Sequence, residues 1–171
     1  LYKPKPFIKP WKVPNTNNVS SNIERLLIDI IKKYPYDIPH EQLVAEFGFE
    51  LKMLDKEKSK VGGSYDFRNK VINIVDYWEE YNESTFCHEF SHLLQDVADE
   101  SDFYKDYNRG NTLFSQTVRQ EQDACNISLL VWEWLYPGKP YSKYLVPYYE
   151  AESIKWLGEY YAPYFENDLL A

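Results

Sequence analysis

Ile23, Leu26, Leu27, Ile30 and Ile31 recur at helical spacing, so the chain predicts an amphipathic helix from about 21 to 33. Ser21 with Glu24 fits a capping box at its start, Lys32 and Lys33 bring positive charge to its last turn, and Pro35 stops the pattern. A second, shorter helix begins with Pro39 in its first turn, faces Leu43, Val44 and Phe47 inward, and terminates at Gly48. The period then falls to two. Phe49, Leu51 and Met53 alternate with Glu50 and Lys52, which predicts a strand covered on one face. Residues 61 to 66 and 70 to 75 predict two more strands around the turn Phe67-Arg68-Asn69. Gly62 and Gly63 weaken the first of these strands and permit close approach by another backbone.

Helical patterning returns over residues 82 to 97 and 117 to 135. Beyond Ala124 the latter segment is apolar nearly all round, through Ile127, Leu129, Leu130, Val131, Trp132, Trp134 and Leu135, which predicts a central helix. Pro137, Gly138 and Pro140 end it. A tyrosine-rich extension from 141 to 171 predicts one more helix around 149 to 161, with Ile154 and Leu157 facing the body. At the other end, four prolines within residues 1 to 18 exclude helix and sheet and predict an extended segment. Helices and a few short strands in this order predict an α+β domain over 19 to 171, with one core.

Composition narrows the function classes. The 171 residues include sixteen tyrosines and five tryptophans, ample for a packed interior. A net charge of -8, with no basic run interleaved with aromatics, argues against a nucleic-acid partner. No apolar stretch approaches the roughly 18 residues of a membrane span. The chain opens on Leu1 without a recognisable signal segment, which predicts a processed or excised piece and leaves its start out of view; a cytoplasmic location is favoured, and the oligomeric state is not indicated. Cys87 and Cys125 are too few for a disulfide framework and form no Cys-x-x-Cys unit, so they read as thiols packed near whatever surrounds them.

The residues carrying chemistry are His88-Glu89-Phe90-Ser91-His92. Four residues apart on a helix, the two imidazoles project in nearly the same direction and can reach one ion. Glu89 is turned about 100° from His88, close enough to act on a water at that ion without occupying a ligand position. Phe86, Phe90, Leu93 and Val97 form a stripe nearly opposite the histidines, so one face is predicted to enter the core and the other to look into a cleft. A catalytic zinc site takes three protein ligands, and a carboxylate must supply the third, because His40 lies far upstream beside a short helix. Glu121 and Asp123 point roughly 200° apart on their helix, so only one of them can serve. Geometry gives Glu121 a modest lead over Asp123, Asp96, Asp99 and Glu100.

From residue 40 to 135 the chain resembles the ImmA/IrrE-type metallopeptidases and, more broadly, the glutamate-ligand zincins. The resemblance lies in an order of elements. A helix ends in Ala45-Glu46-Phe47-Gly48-Phe49; a strand and the hairpin from Gly62-Gly63-Ser64-Tyr65-Asp66 through Val71-Ile72-Asn73-Ile74 follow; then comes His88-Glu89-Phe90-Ser91-His92-Leu93-Leu94. Glu121, with Ala124 three residues later, opens the apolar helix.

The resemblance implies a zincin-like domain in which a short three-stranded sheet packs against the active-site helix, with one zinc held by His88, His92 and Glu121. Cys125 stands where the family usually has asparagine or aspartate, which places it, with Asp123, beside the ligands rather than among them. Glu89 is the expected general base of an endopeptidase acting on protein or peptide substrates, and Gly62, Gly63, Ser64 and Tyr65 form the expected substrate-binding edge. The competing expectation is a catalytically silent zinc-bearing module that binds a protein partner. Among the tyrosines, Tyr104, Tyr107, Tyr141, Tyr144 and Tyr148 are the candidates for an additional proton donor.

Overall fold

The computed structural model describes residues 21–33, 40–58, 61–98, 113–136, 138–145, 159 and 162–165. The proline-rich segment 1 to 18, most of the tail helix, Asp99, Glu100, Tyr104, Tyr107 and Tyr148 lie outside them.

Helix α1 (Ser21–Lys33) turns Ile23 and Leu27 fully inward, as its stripe predicts. Helix α2 (His40–Phe47) buries Leu43 and Phe47 and stops at Gly48, whose φ of 63° is the left-handed conformation that glycine adopts without a Cβ penalty. Strand β1 (Glu50–Leu54) follows directly, then β2 (Gly63–Asp66) and β3 (Val71–Val75). The sheet order is β1-β3-β2, with β1 parallel and β2 antiparallel to β3. The most apolar strand is therefore central: Ile72, Ile74 and Val75 are all fully buried. The turn joining β2 to β3 is tied by the Asp66 carboxylate, which accepts from the backbone N–H groups of Arg68 and Asn69 and from the Asn69 side chain. Hydrogen bonds from Asn69 hold the exposed Asp66 carboxyl below its usual range. β2 pairs only with β3, which leaves its other edge unpaired among the described residues.

Helix α3 (Glu79–Val97) packs on β2 and β3 and on α4 (Leu113–Leu135). Its start is built by Asn82, whose side chain accepts from the Tyr77 N–H at 3.0 Å and donates to Asp76 at 2.9 Å. Trp78 occupies the N-cap itself and makes no side-chain capping bond. Serine, threonine, aspartate or asparagine is preferred there, and giving up their bond costs about 1 kcal/mol. Phe86, Phe90 and Leu93 enter the core, where Phe90 meets Phe47 edge-on with ring centroids 5.3 Å apart and tilts against Trp134 at 5.7 Å. Val97, expected in the same stripe, is 39% exposed, because the helix ends there and runs past the core. In α4 the apolar residues from Ile127 to Leu135 are all buried, as a central helix requires.

After α4 the chain folds back along α3. Lys139 donates to the buried Glu83 at 3.0 Å, with its ammonium 5.0 Å from the ring centres of both Trp132 and Tyr136. The Ser142 hydroxyl lies 2.8 Å from that of Ser84. Among the described residues, no helix is long and apolar enough to cross a membrane. The architecture is an α+β, zincin-like domain: a small mixed sheet packed against helices, one of which bears the candidate ligands.

Candidate metal centre

α3 carries His88 and His92 one turn apart, and α4 brings Glu121 to meet them. Ala124, fully buried three residues later, has the small side chain that a close approach of α4 allows. One oxygen of Glu121 lies 3.1 Å from His88 Nε2 and the other 3.1 Å from His92 Nε2. The two imidazole rings stand nearly perpendicular, with centroids 4.9 Å apart.

The opposite edges of the rings are occupied as well. His92 Nδ1 lies 3.0 Å from Gln95 Oε1, and Gln95 Nε2 donates to the Gln120 carbonyl at 3.2 Å. A carbonyl can only accept, so the Gln95 amide is fixed with its oxygen toward the ring, where it accepts from His92 Nδ1. That leaves His92 Nε2 facing Glu121, where a bound cation would take the place of the proton between them. On His88, Nδ1 faces Cys125 Sγ at 3.6 Å, which places the thiol on the side of the ring away from Glu121. Cys125 therefore contacts a candidate ligand from behind. Asp123 is held by Arg119 at 3.2 Å and Asp96 accepts from the Tyr65 hydroxyl at 2.7 Å; neither joins the converging group.

Donors about 2.1 Å from a tetrahedral ion lie about 3.4 Å from one another. The two histidine–glutamate separations of 3.1 Å, with all three donor atoms inside 4.8 Å, fit that requirement. Two histidines and one carboxylate are also the donor set of catalytic zinc centres that keep a fourth position open.

Charge is distributed to match. Burial disfavours the charged form of His88, but the hydrogen bonds it donates to Cys125 and Glu121 and the charge of Glu89 outweigh it and raise its pKa well above the ordinary value. For Glu121, burial is likewise outweighed by hydrogen bonds from both histidines, which hold its carboxyl far below the usual range. These groups form a strongly polarised cluster that an ion can take over.

No family model, characterised protein or solved structure matches this chain. The centre rests on its own geometry, which is consistent with a glutamate-ligand zincin-type metallopeptidase fold.

Glu89 stands beside the centre without joining it. It is 7% exposed, and burial raises its carboxyl pKa, although the charges of His88 and His92 pull the other way. β2 lies close against it: a Cβ placed on Gly63 would fall 3.4 Å from Glu89 Cγ and 2.5 Å from Thr85 Cγ2. Gly62 stands at the start of this edge, the Ser64 hydroxyl accepts from Asn73 at 3.2 Å, and the Tyr65 hydroxyl reaches the far end of α3 at Asp96. The Tyr65–Asp96 bond pins strand to helix, and burial, followed by that bond, raises the phenol's pKa beyond its ordinary range.

Of the tyrosines considered as proton donors, Tyr141 is bonded to Glu133 and Tyr144 packs on Tyr81 and Trp78. Neither is joined to the ligand cluster. Sequence reasoning passed over Gln95, three residues beyond His92, although that spacing on a helix places an amide beside an imidazole.

Proposed function

We propose that the protein is a zinc-dependent endopeptidase of the ImmA/IrrE type, with zinc held by His88, His92 and Glu121. The observation that carries this reading is the convergence of those three donors around one point, with a buried carboxylate, Glu89, beside them but not among them. Zinc, when bound, supplies a more acidic water and a Lewis acid that polarises a peptide carbonyl. Glu89 accepts a proton from the attacking water and passes it to the departing amine, so that one carboxylate acts first as base and then as acid. Its dry surroundings raise its affinity for the proton, which suits it to take one up and hold it for the amine.

Gln95 and Cys125 hold the ring edges of His92 and His88 that face away from the ion, orienting both imidazoles toward it. The edge of β2 left unpaired among the described residues, from Gly62 to Tyr65, receives the substrate as an added strand, so backbone pairing binds an extended polypeptide whatever its side chains. Gly63, pressed against Thr85 and Glu89, sets the distance between that strand and the base.

The test is Glu89→Gln. The variant is expected to bind one zinc per chain, by metal analysis after gel filtration, and to lose peptide hydrolysis by at least about a hundredfold. Hydrolysis at the wild-type rate would refute the assignment. One tightly held zinc in a wild-type protein that binds a polypeptide yet cleaves none would instead assign the centre to a silent interaction module.

A further inference from the structure

Two turns before His88, on the same face of α3, stands Tyr81, the hub of a group of rings that the metal chemistry does not use. Its ring centre is 5.1 Å from Tyr77, 5.2 Å from Trp78 and 5.1 Å from Tyr144, and the planes are steeply tilted to one another. Trp78 also meets Tyr144 at 5.8 Å. Mutual contact fixes these rings in place, yet Trp78 remains 52% exposed and Tyr77 39%. Trp78 is also the residue that takes the N-cap of α3 without capping it. A large, half-exposed ring held where local preference asks for a small polar residue points to a use outside the fold.

The rings continue the free edge of β2. A Cβ on Gly62 would lie 2.5 Å from the Tyr81 hydroxyl, so glycine is what lets the ring press against the start of the strand. Gly63 then meets Thr85 and Glu89, and Tyr65 reaches Asp96. β2 therefore runs alongside α3 in the same sense and passes the metal centre midway. Seven residues of helix, at about 1.5 Å each, set Tyr81 about 10 Å from His88, the length of about three residues of extended peptide.

Charge identifies the occupant. Asp76 and Glu80, both exposed, flank the rings in the chain, and the whole protein carries a net charge of -8. Glu80 also favours the start of the helix by opposing its dipole, a role that leaves the carboxylate facing solvent. Aromatic faces bordered by carboxylates attract cations, and one face of this group already does so: Lys143 Nζ lies 5.2 Å from the centre of the Tyr144 ring.

We infer that Trp78, Tyr77 and Tyr81 form a specificity subsite that seats an arginine or lysine side chain of an extended polypeptide, about three residues from the bond to be cleaved. The inference rests on the peptidase reading for the cleavage position only, since the seat binds whether or not Glu89 turns over. A peptide antiparallel to β2 places the basic residue on the departing, C-terminal side of the bond.

Binding and cleavage test it separately. Zinc-loaded Glu89→Gln protein is titrated into fluorescein-labelled decapeptides that differ at one position, carrying arginine, alanine or phenylalanine in an otherwise uncharged sequence. By anisotropy, the arginine peptide is expected to bind about five- to tenfold more tightly than the other two, with the preference shrinking as salt rises. Trp78→Ala abolishes the preference. So does the double change Asp76→Asn and Glu80→Gln, which preserves side-chain shape and decides the matter should Trp78→Ala fail to fold. Equal affinities, tightest binding of the phenylalanine peptide, or a preference that survives both variants would overturn the inference.

In the second arm, the zinc-loaded wild-type protein cleaves a mixed peptide library, and mass spectrometry maps the cut sites. Enrichment of arginine or lysine about three residues to one side of the cut supports the subsite, and a flat profile there refutes it. A library left wholly uncut counts against the peptidase reading, while the binding arm still decides the seat.

Discussion

Replacing Gly63 by alanine probes the seam between the edge strand and α3. The added Cβ would stand 2.5 Å from Thr85 Cγ2, 2.8 Å from the Asn73 carbonyl oxygen and 3.4 Å from Glu89 Cγ. The first contact involves a side chain, but the second is with the backbone of β3, the strand that pairs with β2, and no change of rotamer relieves it. The strand must therefore shift against both α3 and β3. Forcing an extra carbon into such a contact costs about 1–3 kcal/mol, which for a chain of this size lowers Tm by about 2–10 °C. The ligands sit on α3 and α4 rather than on β2, so zinc stoichiometry is expected to stay at one while peptide hydrolysis falls as Glu89 loses its backing. Adding Thr85→Ser removes the Cγ2 methyl and with it the shortest contact, so the double variant is expected to recover part of the lost stability. A coupling of at least about 0.5 kcal/mol between the two sites would mark direct contact. The assay is thermal unfolding of the zinc-loaded proteins by circular dichroism, with metal analysis of the same samples. Should Gly63→Ala melt within a degree of the wild type, β2 does not ride on α3 as closely as described.

Chelation is expected to lower Tm and re-addition of zinc to restore it, by about 4 kcal/mol of stabilisation at a free concentration a thousandfold above Kd; Glu121→Gln should erase that shift in a calorimetric scan. Gln95→Ala leaves His92 Nδ1 without its acceptor and is expected to weaken zinc binding about 10- to 100-fold in a competition titration with a chromogenic chelator, so unchanged affinity would show that the amide does not orient the ring. Lys139→Met strands the buried Glu83 carboxylate and is expected to cost about 2–3 kcal/mol in urea unfolding; pairing it with Glu83→Gln should return most of that loss, whereas additive losses would rule out the ion pair as the cause.

Most of this arrangement can be read from the sequence. α1 occupies the predicted span, Gly48 ends α2 in the left-handed conformation that its residue type allows, and the two-residue period places β1 within one residue. Local periodicity and turn chemistry carry those elements. The sheet order is another matter: that β3 lies between β1 and β2 is decided by which strand can be buried on both faces, and Val71-Ile72-Asn73-Ile74-Val75 advertises this only through its near-unbroken apolar run. α3 starts three residues earlier than its apolar pattern predicts, because Asn82 reaches back to Tyr77 and Asp76 from within the helix rather than capping it from in front.

At the centre, helical spacing alone pairs His88 with His92, whereas the choice of Glu121 over Asp123 depends on how α4 rotates against α3. That rotation follows from packing around Ala124 and the buried tryptophans, which no local rule supplies. Cys125 sits one turn beyond Glu121, so its place behind His88 follows once the ligand is known. The ring group around Tyr81 escaped notice because Tyr144 comes from a distant part of the chain and sixteen tyrosines leave no single one conspicuous.

The three ligands are contributed in an order with a consequence for biosynthesis. As the chain leaves the ribosome, β2, Glu89 and both histidines emerge first, and Glu121 follows on a separate helix. Until α4 docks, two imidazoles on a lone helix make only a partial chelate. The candidate metal centre is therefore completed only when α4 docks on α3, after both histidines are already in place.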